Sequence, residues 1–309
     1  MRAFPKGPSF VRQPADTNIS EIALRLLVEF PGGETHIVGT ALLIGPRLAV
    51  TARHNLDDII ERFGAKTVSE KTAVVQEYAV RLYQILPGPQ YNIWNVSSAW
   101  PCETDIAILE LTPHGRTHPQ VPVAWVTPML TFAPLAVGQT VAGFGYHSST
   151  VDTPPQPGGE HHIDLNDAPT VTTGQVEEIL PTGNPGGRFT FPCFRVGARF
   201  DGGMSGGPVF APDGFVCGLI SGTLGNVDGE PISYVASLWP MLLMMISAKG
   251  PGNRPPHTPY AMIDLVLLGT IKAVGLEYLD PSLFLGRILP KLEADIDPTS
   301  GRSCSRLGT

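Results

Sequence analysis

Between residue 20 and about residue 147 the chain alternates short apolar runs with turn residues. "EIALRLLVEF" is followed by "PGG", "THIVGTALLI" by "GPR" and "YAVRLYQIL" by "PGP", while "LAVTA", "DIAILEL" and "QTVAGFGY" have the same character. Runs this short, rich in β-branched residues and closed by Gly or Pro, predict strands rather than helices. "NLDDIIERFG" (55–64) departs from the pattern: its apolar residues fall at helical spacing, and Gly64 is its expected stop. Residues 148–170 form a polar, Pro/Gly-rich loop. Strand-like runs then return in "TVTTGQVEEIL", "RFTFPCFRVGARF", "GPVFA", "GFVCGLISG" and "ISYVASL". Two β-rich halves therefore divide near 115–128, without an internal repeat at the level of motifs.

Beyond this the pattern changes. "WPMLLMMISA" predicts a helix, 249–259 ("KGPGNRPPHTP") a linker, and 260–276 a helix apolar on most sides. A helix of that kind must be buried, against the body or in a partner. The tail at 297–309 is expected to be disordered.

Composition narrows the classes. Of 309 residues, 42% are hydrophobic and 16% charged, a globular balance. The 34 glycines and 31 prolines suit many short strands joined by turns. With a net charge of −7 and no Lys/Arg-rich run, no nucleic-acid partner is expected. The N-terminus has no apolar stretch after its basic residues, so no secretory signal is read there. The run at 239–246 is too short to span a bilayer, and that at 261–276 carries Asp264 and Lys272, so no membrane association is expected. Cys102, Cys193, Cys217 and Cys304 show no CxxC pairing, which argues against a disulfide scaffold or a zinc site. The expectation is a cytoplasmic protein with reduced thiols, no metal and no cofactor. His161 and His162 in the polar loop read as solvated residues.

The chemistry centres on "DGGMSGGPVF" (201–210), four glycines around Ser205. A serine hydroxyl becomes a useful nucleophile only beside a base, with donors to hold the charge that forms on an attacked carbonyl. Glycines allow a tight turn whose amides reach a carbonyl unobstructed by a Cβ. A base is available in "LAVTARHNLDD" as His54, and an acid to orient it in "CETDIAILEL" as Asp105. Each signal alone is modest; the conjunction in the order His, Asp, Ser is strong. Asp57 and Asp58 are rival acids, but their helical spacing from His54 turns them elsewhere.

At these residues the chain resembles the chymotrypsin/trypsin-like serine proteases. "TARHN" is similar to their TAAHC, "DIAILEL" to DIALL, "GGMSGGPVF" to GDSGGP, "VAGFG" to VxGWG and "GLISGT" to GIVSWG; the similarity covers roughly 18–248. It implies a mainly β fold of two antiparallel six-stranded β-barrels, here with a helical C-terminal extension. The expected organisation is an N-terminal arm (1–17), a first barrel (18–120), a second barrel with a C-terminal helix (121–248), the linker, the helical extension (260–296) and the tail. The resemblance also implies a serine endopeptidase acting on protein or peptide substrates. Ser205 would be the nucleophile, His54 the general base and Asp105 its orienter, with Gly203 and Ser205 amides as the oxyanion hole. Ser221, Gly222 and Thr223 would pair with extended substrate, and Arg199, at the pocket base, would suit an acidic P1 side chain. Gly222 would leave its subsite open, and Thr223 would narrow the pocket entrance or lend it a hydroxyl.

The departures from the family carry information too. Met204 replaces the aspartate that receives a new amino terminus on zymogen cleavage, so activation by clipping is not expected, and Asn55 replaces a disulfide cysteine; both changes favour a reducing compartment. Control would then rest on loop ordering or on a regulatory protein bound through the C-terminal extension, for which packing against the barrels is the competing role. Two other functions compete with this one: a catalytically idle peptide-binding module, and an acyl hydrolase using Gly203-Met204-Ser205-Gly206-Gly207 as a GxSxG elbow. The latter fold places its histidine last, whereas only His257, in the linker, follows Ser205.

Overall fold

The computed structural model describes residues 9–12, 18–31, 33–63, 78–86, 90–114, 126–152, 164–166, 168–184, 187–227, 230–247 and 259–280. Six strands close the first barrel: β1 (Ala23–Glu29), β2 (Thr35–Gly45), β3 (Leu48–Thr51), β4 (Ala79–Leu86), β5 (Gln90–Pro101) and β6 (Ala107–Pro113). Their order around it is β1-β2-β3-β6-β5-β4, with β4 returning to β1. Six more build the second: β7 (Thr140–Tyr146), β8 (Pro169–Leu180), β9 (Cys193–Val196), β10 (Pro208–Phe210), β11 (Val216–Val227) and β12 (Glu230–Ser237). Its order is β7-β8-β9-β12-β11-β10, with β10 pairing back to β7. The two barrels thus share one connectivity, a repeat of topology that no sequence motif carries.

The continuous apolar runs follow from burial on both strand faces. In β2, Ala41 and Leu43 point into the first barrel with Leu24, Leu26 and Trp94, whereas Leu42 and Ile44 point outward into a second cluster. That cluster joins the outer face of the first barrel (Leu48, Val50, Ile108) to Val216, Leu219 and Ala236 of the second barrel and to the C-terminal extension. Successive side chains of a strand face opposite ways, so a strand between two cores needs no polar face. The N-terminal strand Ser9–Arg12 pairs with β8 and so belongs to the second barrel.

The C-terminal region differs from expectation. In place of a helix over 239–248 there is a 3-10 turn, Trp239–Leu243, with Pro240 in its first turn, and then a two-residue strand, Met245–Ile246, paired with Tyr260–Ala261. Met244 is already extended, and its carbonyl accepts the Met262 N–H at 2.9 Å. The expected long helix from 260 is only α2 (Met262–Leu267). Gly269 and Gly275 adopt left-handed φ of 71° and 83°, which breaks the helix and lets Ala273–Val274 pair in parallel with Leu130–Thr131. Residues 281–296 of the expected extension lie outside the described residues. What is described packs inward: Met262, Leu265, Ile271 and Leu279 are buried in the cluster between the barrels. Among the described residues, no helix is long and apolar enough to cross a membrane.

Cys102, Cys193 and Cys217 are free and buried; Cys304 lies outside the described residues, as do His161 and His162. Burial pushes the Cys193 thiol up to about 12, with the Glu178 charge acting the same way, so it stays protonated and inert.

Candidate active site

His54 is placed by α1 (Arg53–Phe63), which begins directly after β3 and the intervening Ala52. The first N–H groups of a helix lack partners within it. That of His54 donates to Asp105 Oδ1 at 2.9 Å, and the ring Nδ1 lies 2.9 and 3.1 Å from the two carboxylate oxygens. Asp105 sits in the turn leading into β6, closed by Cys102 N–H to the Ile106 carbonyl at 2.8 Å and tied to α1 by Arg53 Nη1 donating to the Cys102 carbonyl. Ser221 Oγ also donates to Asp105 Oδ2. One residue of β11 is extra between the pairs Ile220–Val235 and Gly222–Tyr234, and this bulge falls at Ser221. The hydroxyl expected in the substrate strand is thus committed to the acid. Asp57 pairs with Arg53 and Asp58 with Arg62, each four residues away on α1; Asp58 also lines, with His54, the two clefts beside Ser205.

Asp105 is 8% exposed. Burial, the largest single influence on His54, disfavours the imidazolium; the Asp105 hydrogen bond and charge, with Asp58, outweigh it, and the pKa lies above 6.5. Arg188 acts weakly in the opposite direction.

Ser205 lies in the turn between Phe200 and β10. Its carbonyl accepts from Thr40 N–H at 2.8 Å and Asn55 Nδ2 at 3.0 Å, and Thr40 Oγ1 donates to the Gly203 carbonyl at 2.8 Å. Thr51 Oγ1 in turn donates to the Thr40 carbonyl and accepts from Asn55. Thr40, Thr51 and Asn55 therefore clamp the serine turn from the first barrel. The sequence reading missed this role, although buried hydroxyls interrupting "GTALLI" and "LAVTA" were its visible sign.

The glycines around Ser205 do different things. A Cβ at Gly206 (φ 82°) would lie 2.1 Å from the Thr40 carbonyl oxygen, at Gly203 (φ 88°) 2.4 Å from that of Tyr146, and at Gly207 2.0 Å from that of Phe144. One at Gly202 would meet nothing within 4 Å. Gly206→Ala should accordingly destabilise the fold by roughly 2–4 kcal/mol through left-handed strain and overlap with backbone, whereas Gly202→Ala should leave the unfolding midpoint in denaturant unmoved. Met204 is fully buried in the second-barrel core, and its Cα would lie only 2.5 Å from a Cβ at Gly145.

Among the described residues, the N–H groups of Gly203 and Ser205 donate to no protein acceptor, and Ser205 Oγ makes no hydrogen bond to the His54 ring. Both side chains instead line the meeting point of two clefts, of about 540 and 410 Å³. The larger runs past Ser221, Gly222, Thr223, Phe189 and Arg188; the smaller runs past His36, Tyr146 and Phe63. With Nδ1 taken by Asp105, Nε2 is the ring nitrogen left for chemistry.

Two specificity expectations change. Arg199 is not at the base of a pocket: its side chain is 60% exposed and pairs with Asp201 at 2.7 and 2.9 Å, because a partner two residues away in solvent outcompetes burial of a guanidinium. Gly222 does not leave an open subsite, since Phe189, stacked on Tyr234 at 4.1 Å, comes within 3.6 Å of where its Cβ would be.

The family model described as "Trypsin-like peptidase domain" matches residues 39–219. No match is found among curated protein sequences. Among solved structures, the chain is similar to the MamO protease domain from Magnetospirillum magneticum (14% identity, 72% of this chain and 94% of that one, TM-score 0.43). It is likewise similar to the Rv3671c protease from M. tuberculosis in its active form (18%, 78% and 90%, TM-score 0.44) and to Deg5 (15%, 71% and 84%, TM-score 0.44).

Proposed function

Because the chain belongs to the family of trypsin-like peptidase domains, we propose that it is a serine endopeptidase with Ser205 as nucleophile, His54 as base and Asp105 as orienter. One observation carries this reading: the Asp105–His54 pair leaves Nε2 available on the cleft that holds Ser205 and two amides without protein acceptors.

In the first half-reaction Ser205 Oγ attacks the scissile carbonyl carbon while its proton passes to His54 Nε2. The carbonyl oxygen becomes an oxyanion and accepts from the Gly203 and Ser205 N–H groups. The imidazolium then gives its proton to the leaving nitrogen, the C–N bond breaks, and an ester remains on Ser205. Water attacks that ester, losing a proton to His54, and the acid departs as Ser205 regains its proton. The His54–Ser205 contact tightens when substrate arrives, as unliganded catalytic hydrogen bonds commonly do. The acyl half lies along Ser221–Thr223 and the leaving half in the smaller cleft.

A fluorophosphonate reagent tests the reading. It should label the protein at Ser205, located by mass spectrometry of the modified peptide; an unlabelled folded protein favours the idle binding module. The pH profile adds a second check. Since His54 must be neutral to accept a proton and Asp105 holds its pKa up, kcat/KM should rise with pH along a limb centred above 6.5. The stability that the charged pair supplies runs the other way, fully present below 6.5 and lost as pH rises through the folded value.

A further inference from the structure

We propose that Thr223 and Ser233 together close the primary specificity pocket, so that the substrate residue before the scissile bond must be small, alanine or glycine. This rests on the peptidase reading above and names the substrate class of the same site.

The larger cleft beside Ser205 is lined by Phe200, Asp201 and Gly202, which lead into the serine turn, and by Ser221, Gly222 and Thr223 of β11. Thr223 is directly opposite Ser233 of β12 in the antiparallel register. Residues so paired present their side chains on one face of the sheet, and here the two hydroxyl oxygens lie 2.9 Å apart. Neither group is free to withdraw. Thr223 Oγ1 donates to the Phe200 carbonyl. Ser233 Oγ accepts the Phe200 N–H at 3.1 Å and shares its own proton between the Ala198 carbonyl at 2.7 Å and Thr223. Two protons thus serve three acceptors, and the pair ties Thr223, on the cleft, to the main chain of Ala198 and Phe200.

Burial sharpens the argument. Ser233 is fully buried and Phe200 3% exposed, while Thr223 is part-exposed and lines the larger cleft. The threonine methyl and its bound hydroxyl therefore face the substrate as a floor. A methyl fits above such a floor. A leucine, phenylalanine, lysine or glutamate would have to displace Thr223, break its bond to Phe200 and leave that buried carbonyl unpaired. Arg199 brings no charge to an acidic side chain there, since it turns out to solvent and is bound to Asp201; Arg188 lines the same cleft, but the steric cost of a long side chain at Thr223 stands whatever its charge.

Peptidyl diphenyl phosphonates that differ only at this residue test the idea on the full chain, beside a fluorophosphonate that carries no such side chain. Alanine and glycine reagents should inactivate the wild type at least roughly 100-fold faster than leucine, phenylalanine, glutamate or lysine reagents. Thr223→Gly should raise the leucine and phenylalanine rates by about tenfold or more relative to alanine. Fluorophosphonate labelling together with a large-residue rate within about tenfold of alanine in the wild type overturns this inference alone, as does a folded Thr223→Gly protein with an unchanged ratio. If that variant does not fold, the wild-type profile decides. Absence of fluorophosphonate labelling removes the peptidase reading and this one with it.

Discussion

Alanine at Ser205 or at His54 should lower peptide hydrolysis by roughly 10⁶-fold and abolish fluorophosphonate labelling, while leaving thermal unfolding close to that of the wild type. The two groups act in one step, so the double variant should lose little more than either single one. A residual of roughly 10³–10⁴-fold over water should survive, because backbone amides and cleft are untouched. The fold should tolerate Ser205→Ala because the serine turn is held by main-chain atoms: the Ser205 carbonyl serves Thr40 and Asn55, and Gly206 N–H donates to the Ile220 carbonyl at 2.7 Å. His54→Ala keeps the backbone N–H that donates to Asp105. Steady-state kcat with a peptide substrate, set beside a melting curve of each variant, makes the measurement. Retention of more than about 1% of wild-type kcat in Ser205→Ala would assign the nucleophile to another residue.

What was legible in the sequence, and what was not, divides along physical lines. Strands were readable because a barrel strand between two cores is a short apolar run, as β2 and β3 are. His54 and Asp105 were readable because each adjoins such a run, so their contact depends on strand ends rather than on loops. The C-terminal region misled because apolarity alone does not separate a buried helix from a partly buried chain of turns: "AMIDLVLLGTIKAVGL" buries Met262, Ile263, Leu265, Val266 and Ile271 but exposes Leu267 and Leu268, and Gly269 and Gly275 break it into a short helix and a strand. Arg199 misled for a different reason. Sequence position placed it at the pocket base, but the side chain's direction was decided by Asp201 beside it, a local pairing that register cannot reveal. The hydroxyl pair Thr223–Ser233 was half visible: Thr223 was a candidate, whereas Ser233 acquires its meaning only from the cross-strand register.

The same logic places the site at the seam of the two barrels. His54 and Asp105 come from the first barrel, Ser205, the Gly203 and Ser205 amides and the Thr223–Ser233 pair from the second. Thr40, Thr51 and Asn55 fix the serine turn from across the seam, and the C-terminal extension fills the apolar cluster shared by both barrels. Precise placement of Ser205 therefore depends on the packing of both halves and not on the serine turn alone.

Asp105→Asn should lower kcat by roughly 10⁴-fold at neutral pH with the cleft intact, the second-largest effect expected of a single substitution. The carboxylate accepts from three donors: His54 N–H, His54 Nδ1–H and Ser221 Oγ–H. An amide presents one accepting oxygen and one donating nitrogen. If the oxygen takes the Oδ1 place and keeps the His54 backbone N–H, the nitrogen takes the Oδ2 place and faces both Nδ1 and Ser221 Oγ, which must then accept; the ring proton moves to Nε2, and the base is lost in place. The imidazolium also loses its counter-charge, so the opposed influences on His54 no longer balance upward and burial prevails. Its pKa should fall below the wild-type value, and the acid limb of kcat/KM should move to lower pH even as the plateau drops. Stability carries the matching signature. The wild type's charged pair stabilises the fold below 6.5, so the variant's deficit in denaturant unfolding should be larger at pH 5 than at pH 8. A variant whose deficit is independent of pH, with an unmoved limb, would show that Asp105 orients His54 by shape without its charge. Ser221→Ala separates the acid's own role from its support: the carboxylate stays charged and bound to His54, so activity should fall by about tenfold and not by four orders of magnitude.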